Sequence, residues 1–311
     1  MQNSFVVRWG DTRLCHGAAQ TSPRYCARVT RQATADEEAL TTRPGNRNRG
    51  KRNFRAALAI WSAVSVSTTT AVSQHEEWIE SRRTYVTAPQ GPLSLVLTHW
   101  SPAGAPPVDE ATAREGQPAD AVFTRLRRDD IDSGEQQEGY RIWRQDSPAQ
   151  QAFEEIEYYD YDPAWVIEGR FELVDEQRVV PFEHIKDAGA TRGLPVSGDL
   201  VFEVDGTQYR LNAFDTNYSG IWKLQLVFGD RTNGVESYGA GRFLFLDHPA
   251  GERELASGDS IPITIDFNRA IVPPCGFSNQ MNCPLPPLQN RLPFALRAGE
   301  KRVRYADGFS L

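Results

Sequence analysis

Two short segments that meet at residues 205–206 decide the fold class of this chain: Gly198-Asp-Leu-Val-Phe-Glu-Val204 and Thr207-Gln-Tyr-Arg-Leu211, joined by Asp205-Gly206. In both segments apolar and polar side chains alternate, which is typical of a β-strand with one buried face. An Asp-Gly pair between two such strands favours a type I′ turn, because both turn residues need positive φ. The sequence therefore predicts a β-hairpin over residues 198–211.

Further short segments on both sides of this hairpin carry alternating or β-branched and aromatic residues, bounded by Gly, Pro, Asn or Asp. They are 93–97, 121–124, 140–143, 165–171, 223–228, 241–246 and 263–267. Helical periodicity is rare between them, and we expect one short amphipathic helix at residues 75–85. The pattern predicts a mainly β fold, an antiparallel β-sandwich or a barrel-like domain with few short helices.

The charge divides the chain into two parts. Residues 1–73 hold eleven Arg and Lys against four Asp and Glu, whereas the rest holds 23 against 37. A net charge of about −14 on the larger part makes nucleic acid a poor partner, because phosphate binding needs positive charge. Residues 1–50 lack apolar periodicity, and we expect a disordered or wrongly assigned N-terminal extension. A single β domain is expected at residues 75–305.

Residues 51–73 have the pattern of a secretory signal peptide. Basic residues at Lys51-Arg-Asn-Phe-Arg55 precede a stretch of apolar and small residues that ends at Ala71-Val-Ser73. The stretch is too rich in Ser and Thr for a stable membrane span. We expect export to the periplasm, the cell envelope or the outside of the cell, with cleavage near Ser73. An uncleaved anchor or a chance resemblance are the alternatives, and the latter implies a cytoplasmic protein.

The segment from Asp266 to Glu300 holds two cysteines and six prolines in a series of short motifs. They are Asp266-Phe-Asn-Arg-Ala270, Pro273-Pro-Cys275, Cys283-Pro-Leu-Pro-Pro287, Asn290-Arg-Leu-Pro293 and Ala298-Gly-Glu300. These motifs resemble those of the DUF1684 family, as do Tyr140-Arg-Ile-Trp143 and Phe228-Gly-Asp-Arg-Thr232. The resemblance covers roughly residues 78–300. It implies membership of a family without an established activity, so it assigns no reaction.

Polar residues of this segment form the candidate ligand site. The candidates are Asp266, Asn268, Arg269, Arg291 and Glu300, together with Asp230, Tyr238 and Arg242 on an expected neighbouring hairpin. Because guanidinium groups pair with carboxylates and phosphates, the set could bind an anionic or polyhydroxylated small molecule. One alternative is a hydrolase that uses Asp266 or Glu300 as the general base. The other is a structural or interaction domain, in which the charges only fix the proline-rich loop.

The two cysteines of the segment, Cys275 and Cys283, are predicted to form a disulfide. The bridge would close a nine-residue loop and stabilise the fold by about 2.6 kcal/mol in the chain-entropy model. Free buried thiols are the alternative. A zinc site is not expected, because seven residues separate the cysteines and the segment has no histidine. No motif for a cofactor is present, and neither the catalytic residues nor the oligomeric state is predicted.

Overall fold

The computed structural model describes residues 55–130, 132–174, 178–218, 221–249, 256 and 258–311, with the side chains of residues 55–69 and 218 left aside. Thr68–Leu311 belong to one compact unit, and Asp11–Ser67 to another, of which only residues 55–67 are described. Three α-helices lie within these residues: α1 Arg55–Thr87, α2 Glu110–Ala113 and α3 Pro148–Ala152. Helix α1 is longer than the helix that the sequence predicts at residues 75–85.

Strands account for most of the regular structure of the described residues. In chain order they are β1 Leu95–Trp100, β2 Val122–Asp129, β3 Gln136–Trp143, β4 Phe153–Tyr158, β5 Val166–Leu173, β6 Val179–Glu183, β7 Thr191–Pro195, β8 Gly198–Val204, β9 Thr207–Tyr218, β10 Ile221–Phe228, β11 Arg242–Asp247, β12 Ser260–Asp266 and β13 Glu300–Tyr305. Short 3₁₀ turns join several of them. The prediction of a mainly β fold is confirmed.

The largest sheet has six antiparallel strands in the order β11-β10-β9-β8-β5-β12 and curls into a half-barrel. Three smaller antiparallel sheets have the orders β1-β3-β2, β13-β4 and β6-β7. The predicted hairpin lies at the centre of the large sheet, where Val204 pairs with Thr207. Asp205 and Gly206 have φ values of 50° and 72°. Both turn residues have the positive φ that a type I′ turn requires.

The half-barrel closes around an apolar core. Buried core side chains come from all six strands and from the turn after β12; examples are Phe171, Leu200, Leu226, Leu244 and Phe267. Near its start, the edge strand β11 is joined to the segment that follows the other edge strand, β12. There the backbones of Phe243 and Ile271 exchange two hydrogen bonds of 3.0 and 2.7 Å. The seam between the edge strands is therefore closed at one end.

Helix α1 packs through one face of its C-terminal half. His75, Arg82 and Val86 are buried, and Trp78 is half-buried between them. The spacing of these positions is that of one helix face. No helix among the described residues combines the length and the apolarity needed to cross a membrane.

Gly241, just before β11, is a glycine whose replacement we expect to damage the fold. Its φ is +87°, and an added Cβ would lie 2.4 Å from Pro286 Cγ and 2.7 Å from the Phe228 carbonyl oxygen. Gly234 is the matched control, because its φ is +79° and no heavy atom lies within 4 Å of its added Cβ.

Urea unfolding measures the difference. We expect Gly234→Ala to lose about 1–2 kcal/mol from backbone strain alone. Gly241→Ala should lose about 1–3 kcal/mol more, because the methyl group also overpacks the loop against the sheet. Equal losses in the two variants would show that Pro286 does not pack closely on Gly241.

Candidate functional site

Glu300, the first residue of β13, forms a buried ion pair with Arg82 of α1. Arg82 Nε lies 2.6 Å from Glu300 Oε1, and Arg82 Nη2 lies 3.2 Å from Oε2. The backbone N–H of Val272 donates a further hydrogen bond of 2.7 Å to Oε2. The Glu300 side chain has no exposed surface. The carboxylate therefore joins the helix, the C-terminal strand and the loop after β12.

Arg242 and Asp230 form a second ion pair, 2.7 Å long, in which both side chains are fully buried. The Arg242 guanidinium also donates to the backbone carbonyls of Leu296, Ala298 and Glu300. Asp230 Oδ1 accepts from the backbone N–H of Leu296 at 3.2 Å. The pair holds the irregular segment before β13 against the ends of β10 and β11, and neither side chain faces solvent.

Two buried asparagine side chains, Asn268 and Asn290, also form hydrogen bonds with backbone groups that are distant in sequence. Asn268 accepts from the backbone N–H of Asp162 at 3.0 Å and donates to its carbonyl at 2.9 Å. Asn290 bonds both backbone groups of Asn212 and also the carbonyl of Val227. Asp162 lies outside the strands, and Asn212 and Val227 lie in β9 and β10 beyond the residues through which these two strands pair. The amides therefore bond backbone groups that have no strand partner on that side. Asn290 was not among the predicted site residues, although it lies in the Asn-Arg-Leu-Pro motif.

Arg291 and Tyr238, two further predicted site residues, lie outside the two buried ion pairs. Arg291 is exposed beside Gly229, and its Nε donates to the carbonyl of Pro286 at 3.3 Å. The Tyr238 hydroxyl lies 3.5 Å from Cys275 Sγ. The structure thus divides the eight predicted residues among several locations instead of gathering them around one cavity.

Asp266 and Arg269 remain as a partly exposed pair at the end of β12. Asp266 Oδ2 lies 3.2 Å from Arg269 Nε, and the side chains are 26% and 46% exposed. Asp266 Oδ1 accepts from the backbone N–H of Asn268 at 3.1 Å and so caps the 3₁₀ turn Phe267–Arg269. The cap fixes the carboxylate, whereas much of the guanidinium faces solvent.

A groove of 430 Å³ lies beside this pair. It is lined by residues 244–249 from the β11 side and 261–264 from the β12 side, with Asp266 and Arg269. These are the two edge strands of the half-barrel, which separate beyond the Phe243–Ile271 bridge. The groove is the part of the seam that the sheet leaves open.

His75 lies near the same pair and was not singled out from the sequence. Its ring is 5.3 Å from the rings of both Trp78 and Tyr161 and is 6% exposed. Neither ring nitrogen has a hydrogen-bond partner among the described residues. Burial lowers the pKa of His75, an effect that the charge of Asp266 opposes and that of Arg269 reinforces. The spacing of positions 75, 78 and 82 on one helix face is the signal that could have identified it.

Cys275 and Cys283 are buried free thiols in this structure, so the predicted disulfide is not formed here. The Cys275 backbone N–H donates to Cys283 Sγ at 3.2 Å. The two ends of the nine-residue loop from Cys275 to Cys283 are therefore in contact even without the covalent bond. Among the residues that the structure describes, no group of three His, Cys, Asp or Glu side chains could hold a metal ion.

We expect Glu300→Gln to destabilise the protein by about 3–5 kcal/mol in urea unfolding, because it leaves the Arg82 charge buried without a counter-ion. Glu154→Gln is the matched control on the paired strand β4. Glu154 forms an exposed pair with Arg304, with side chains 43% and 51% exposed. Such a pair contributes less than about 1 kcal/mol. A Glu300→Gln loss as small as that of the control would contradict the buried ion pair.

The comparisons with known proteins agree with the motifs. The family model described as "Protein of unknown function (DUF1684)" matches residues 151–301. A solution NMR structure of an uncharacterized protein from Haloarcula marismortui is 32% identical. That match covers 48% of this chain and 77% of the other, with a TM-score of 0.37. No curated protein matches. The chain belongs to the DUF1684 family.

Proposed function

We propose that the protein is an exported β domain that binds a small molecule in the groove between β11 and β12. Asp266 and Arg269 are the polar end of this site. The observation that carries the proposal is a 430 Å³ groove that ends on a guanidinium exposed by 46%. Of the predicted site residues, Asp266 and Arg269 are the two that line this groove.

The lining of the groove supports an anionic or polyhydroxylated ligand with an apolar part. Ile261, Ile263 and Leu246 supply apolar parts of the lining. Arg269 can offer several N–H donors to a carboxylate, a phosphate or a sugar hydroxyl, because Asp266 occupies only one side of its guanidinium. A ligand with a charged head and a short apolar tail matches both parts.

The surroundings of His75 also support a ligand site beside Asp266 and Arg269. The charges of both Asp266 and Arg269 act on the imidazole. With its pKa lowered by burial, the ring is neutral at pH 7, so it can both donate and accept one hydrogen bond. A buried polar group without a partner among the described residues is uncommon. His75 is not itself among the residues that line the groove, so its support comes from its position beside Asp266 and Arg269.

The geometry is less favourable to the hydrolase alternative. Glu300 is fully buried and holds a bidentate ion pair with Arg82, so water cannot reach it. Asp266 is paired with Arg269, and its Oδ1 accepts hydrogen bonds from the backbone and the side chain of Asn268, so both carboxylate oxygens already have partners inside the protein. The structural alternative accounts well for Asp230, Arg242 and Glu300, whose polar groups are used inside the protein. It does not account for the exposed Arg269 beside a groove.

The burial pattern of α1 supports export with cleavage near Ser73. Thr70, Val72 and Ser73 are exposed, and His75 is the first buried side chain among the described residues of the helix. Cleavage after Ser73 would therefore keep the buried residues His75, Arg82 and Val86 in the protein. This agrees with the signal-peptide pattern of residues 51–73.

Titration calorimetry with octyl phosphate and octyl glucoside tests the binding proposal and separates an anionic from a polyhydroxylated head group. If the head group is anionic, Arg269→Ala should weaken octyl phosphate binding about 10- to 100-fold, the value of a charged hydrogen bond. Asp266→Asn should strengthen it, because the guanidinium loses its internal counter-ion. Tighter binding of octyl glucoside than of octyl phosphate would instead indicate the polyhydroxylated class.

Arg127→Ala is the control, since Arg127 is an exposed arginine paired with Glu138 on the separate β1-β3-β2 sheet. We expect it to bind octyl phosphate like the unchanged protein. Failure of both ligands to bind, or equal affinities of the Arg269→Ala and Arg127→Ala variants for octyl phosphate, would reject the groove as an anion site.

A further inference from the structure

Cys275 and Cys283 form an asymmetric pair of thiols. Both lie in one buried apolar cluster together with Tyr238. The Cys283 side chain is a hydrogen-bond partner of Cys275, and the Tyr238 hydroxyl donates a hydrogen bond of 3.5 Å to Cys275 Sγ. In return, Cys283 Sγ accepts from the backbone N–H of Cys275 at 3.2 Å. The Tyr238 hydroxyl thus bonds the Cys275 sulfur, whereas a backbone N–H bonds the Cys283 sulfur.

These hydrogen bonds separate the acidities of the two thiols. The bond from Cys283 lowers the pKa of Cys275, and the bond from Tyr238 and the backbone N–H groups of Cys275 and Gly276 lower it further, against burial. The same thiol–thiol bond, followed by burial, raises the pKa of Cys283. The thiolate is the nucleophile in thiol–disulfide exchange, so Cys275 is the cysteine favoured to attack first.

Arg141 places a positive charge near Cys283, the thiol that reacts second in the reaction proposed below. Its guanidinium is close enough to Cys283 to lower the pKa of that thiol, and its buried Nε has no hydrogen-bond partner among the described residues. While Cys275 is free, the thiol–thiol bond outweighs this effect. Once the Cys275 sulfur is covalently occupied, that bond no longer holds the Cys283 proton, and the Arg141 charge favours the second thiolate.

We propose that Cys275 and Cys283 are a redox-active dithiol, with Cys275 as the attacking sulfur and Cys283 as the resolving one. The oxidant is a small-molecule disulfide. The Cys275 thiolate attacks one of its sulfurs, forms a mixed disulfide and releases one thiolate. Cys283 then loses its proton and attacks Cys275 Sγ, which closes the protein disulfide and releases the second thiolate. Two protein thiols are oxidised, and one small disulfide is reduced to two thiols.

The loop between the cysteines gives the oxidation a structural consequence. Gln280 bonds the backbone N–H and the hydroxyl group of Thr98 in β1 at 3.0 and 2.9 Å. Ser278 donates to the carbonyl of Leu95 at 2.9 Å. Closing the loop covalently should therefore hold the β1-β3-β2 sheet more firmly and raise the melting temperature.

Oxidised glutathione, added to the reduced full chain, is the probe. Peptide mass spectrometry distinguishes the segment with Cys275 and Cys283 from Cys15 and Cys26. We expect the native protein to lose two hydrogens in this segment and to melt at a higher temperature. Cys283→Ser should accumulate a glutathione adduct on Cys275, whereas Cys275→Ser should form an adduct on Cys283 at least tenfold more slowly.

Tyr238→Phe and Tyr305→Phe are a matched pair of hydroxyl deletions. The Tyr305 hydroxyl bonds the carbonyls of Gly276 and Phe277, and among the described residues it makes no hydrogen bond to a thiol. We expect Tyr238→Phe to slow adduct formation at Cys275 severalfold in the Cys283→Ser background, and Tyr305→Phe to leave the rate unchanged. Equal adduct rates at the two cysteines would mean reaction through the unfolded chain, and this outcome, or the absence of a disulfide in the native protein, would overturn the proposal.

Discussion

The bidentate ion pair between Arg82 and Glu300 is the interaction on which the described fold depends. Its two residues are 218 positions apart, and its carboxylate also receives the backbone N–H of Val272. A charge in this position is stable only while its partner is present, because the surrounding protein cannot solvate it. The folded state is therefore stable only when helix α1, strand β13 and the loop after β12 are all in place.

The polar residues predicted for the site have two physical roles, and solvent exposure distinguishes the residues of one role from those of the other. Asp230, Arg242 and Glu300 are buried in ion pairs and in hydrogen bonds to the backbone, so they replace hydrogen bonds that a proline-rich backbone cannot make. Asp266 and Arg269 lie at the surface end of β12, where the half-barrel is open. Residues that are adjacent in one motif, such as Asn268 and Arg269, therefore serve architecture and the candidate site respectively.

The strands that follow a clear period of two could be predicted from the sequence. The Asp205-Gly206 hairpin is the best case, because its turn chemistry and its two strands indicate the same structure. Strand β13 was missed because Glu300-Lys-Arg-Val-Arg-Tyr305 is mostly charged and lies on the two-stranded β4-β13 ribbon. Strands β6 and β7 are short and half-exposed, so they carry little periodic signal.

The site was harder to predict than the fold. Composition indicated the segment from Asp266 to Glu300, but a run of charged residues does not say which of them are paired inside the protein. Arg82 and His75 contribute from a helix that is distant in sequence, and pairing over such a separation has no local signature. The groove itself results from the divergence of β11 and β12, which depends on how the whole sheet curls.

Native-state hydrogen exchange tests most directly whether this irregular segment is part of the cooperative core. The amides of Val272, Leu296 and Glu300 bond the Glu300 carboxylate, the Asp230 carboxylate and the Ala270 carbonyl. If the buried charges fix the segment, these amides should exchange only with global unfolding, at the same free energy as Leu226 in the central sheet. Exchange of the three amides by local opening, while Leu226 stays protected, would contradict the claim that these ion pairs hold the fold together.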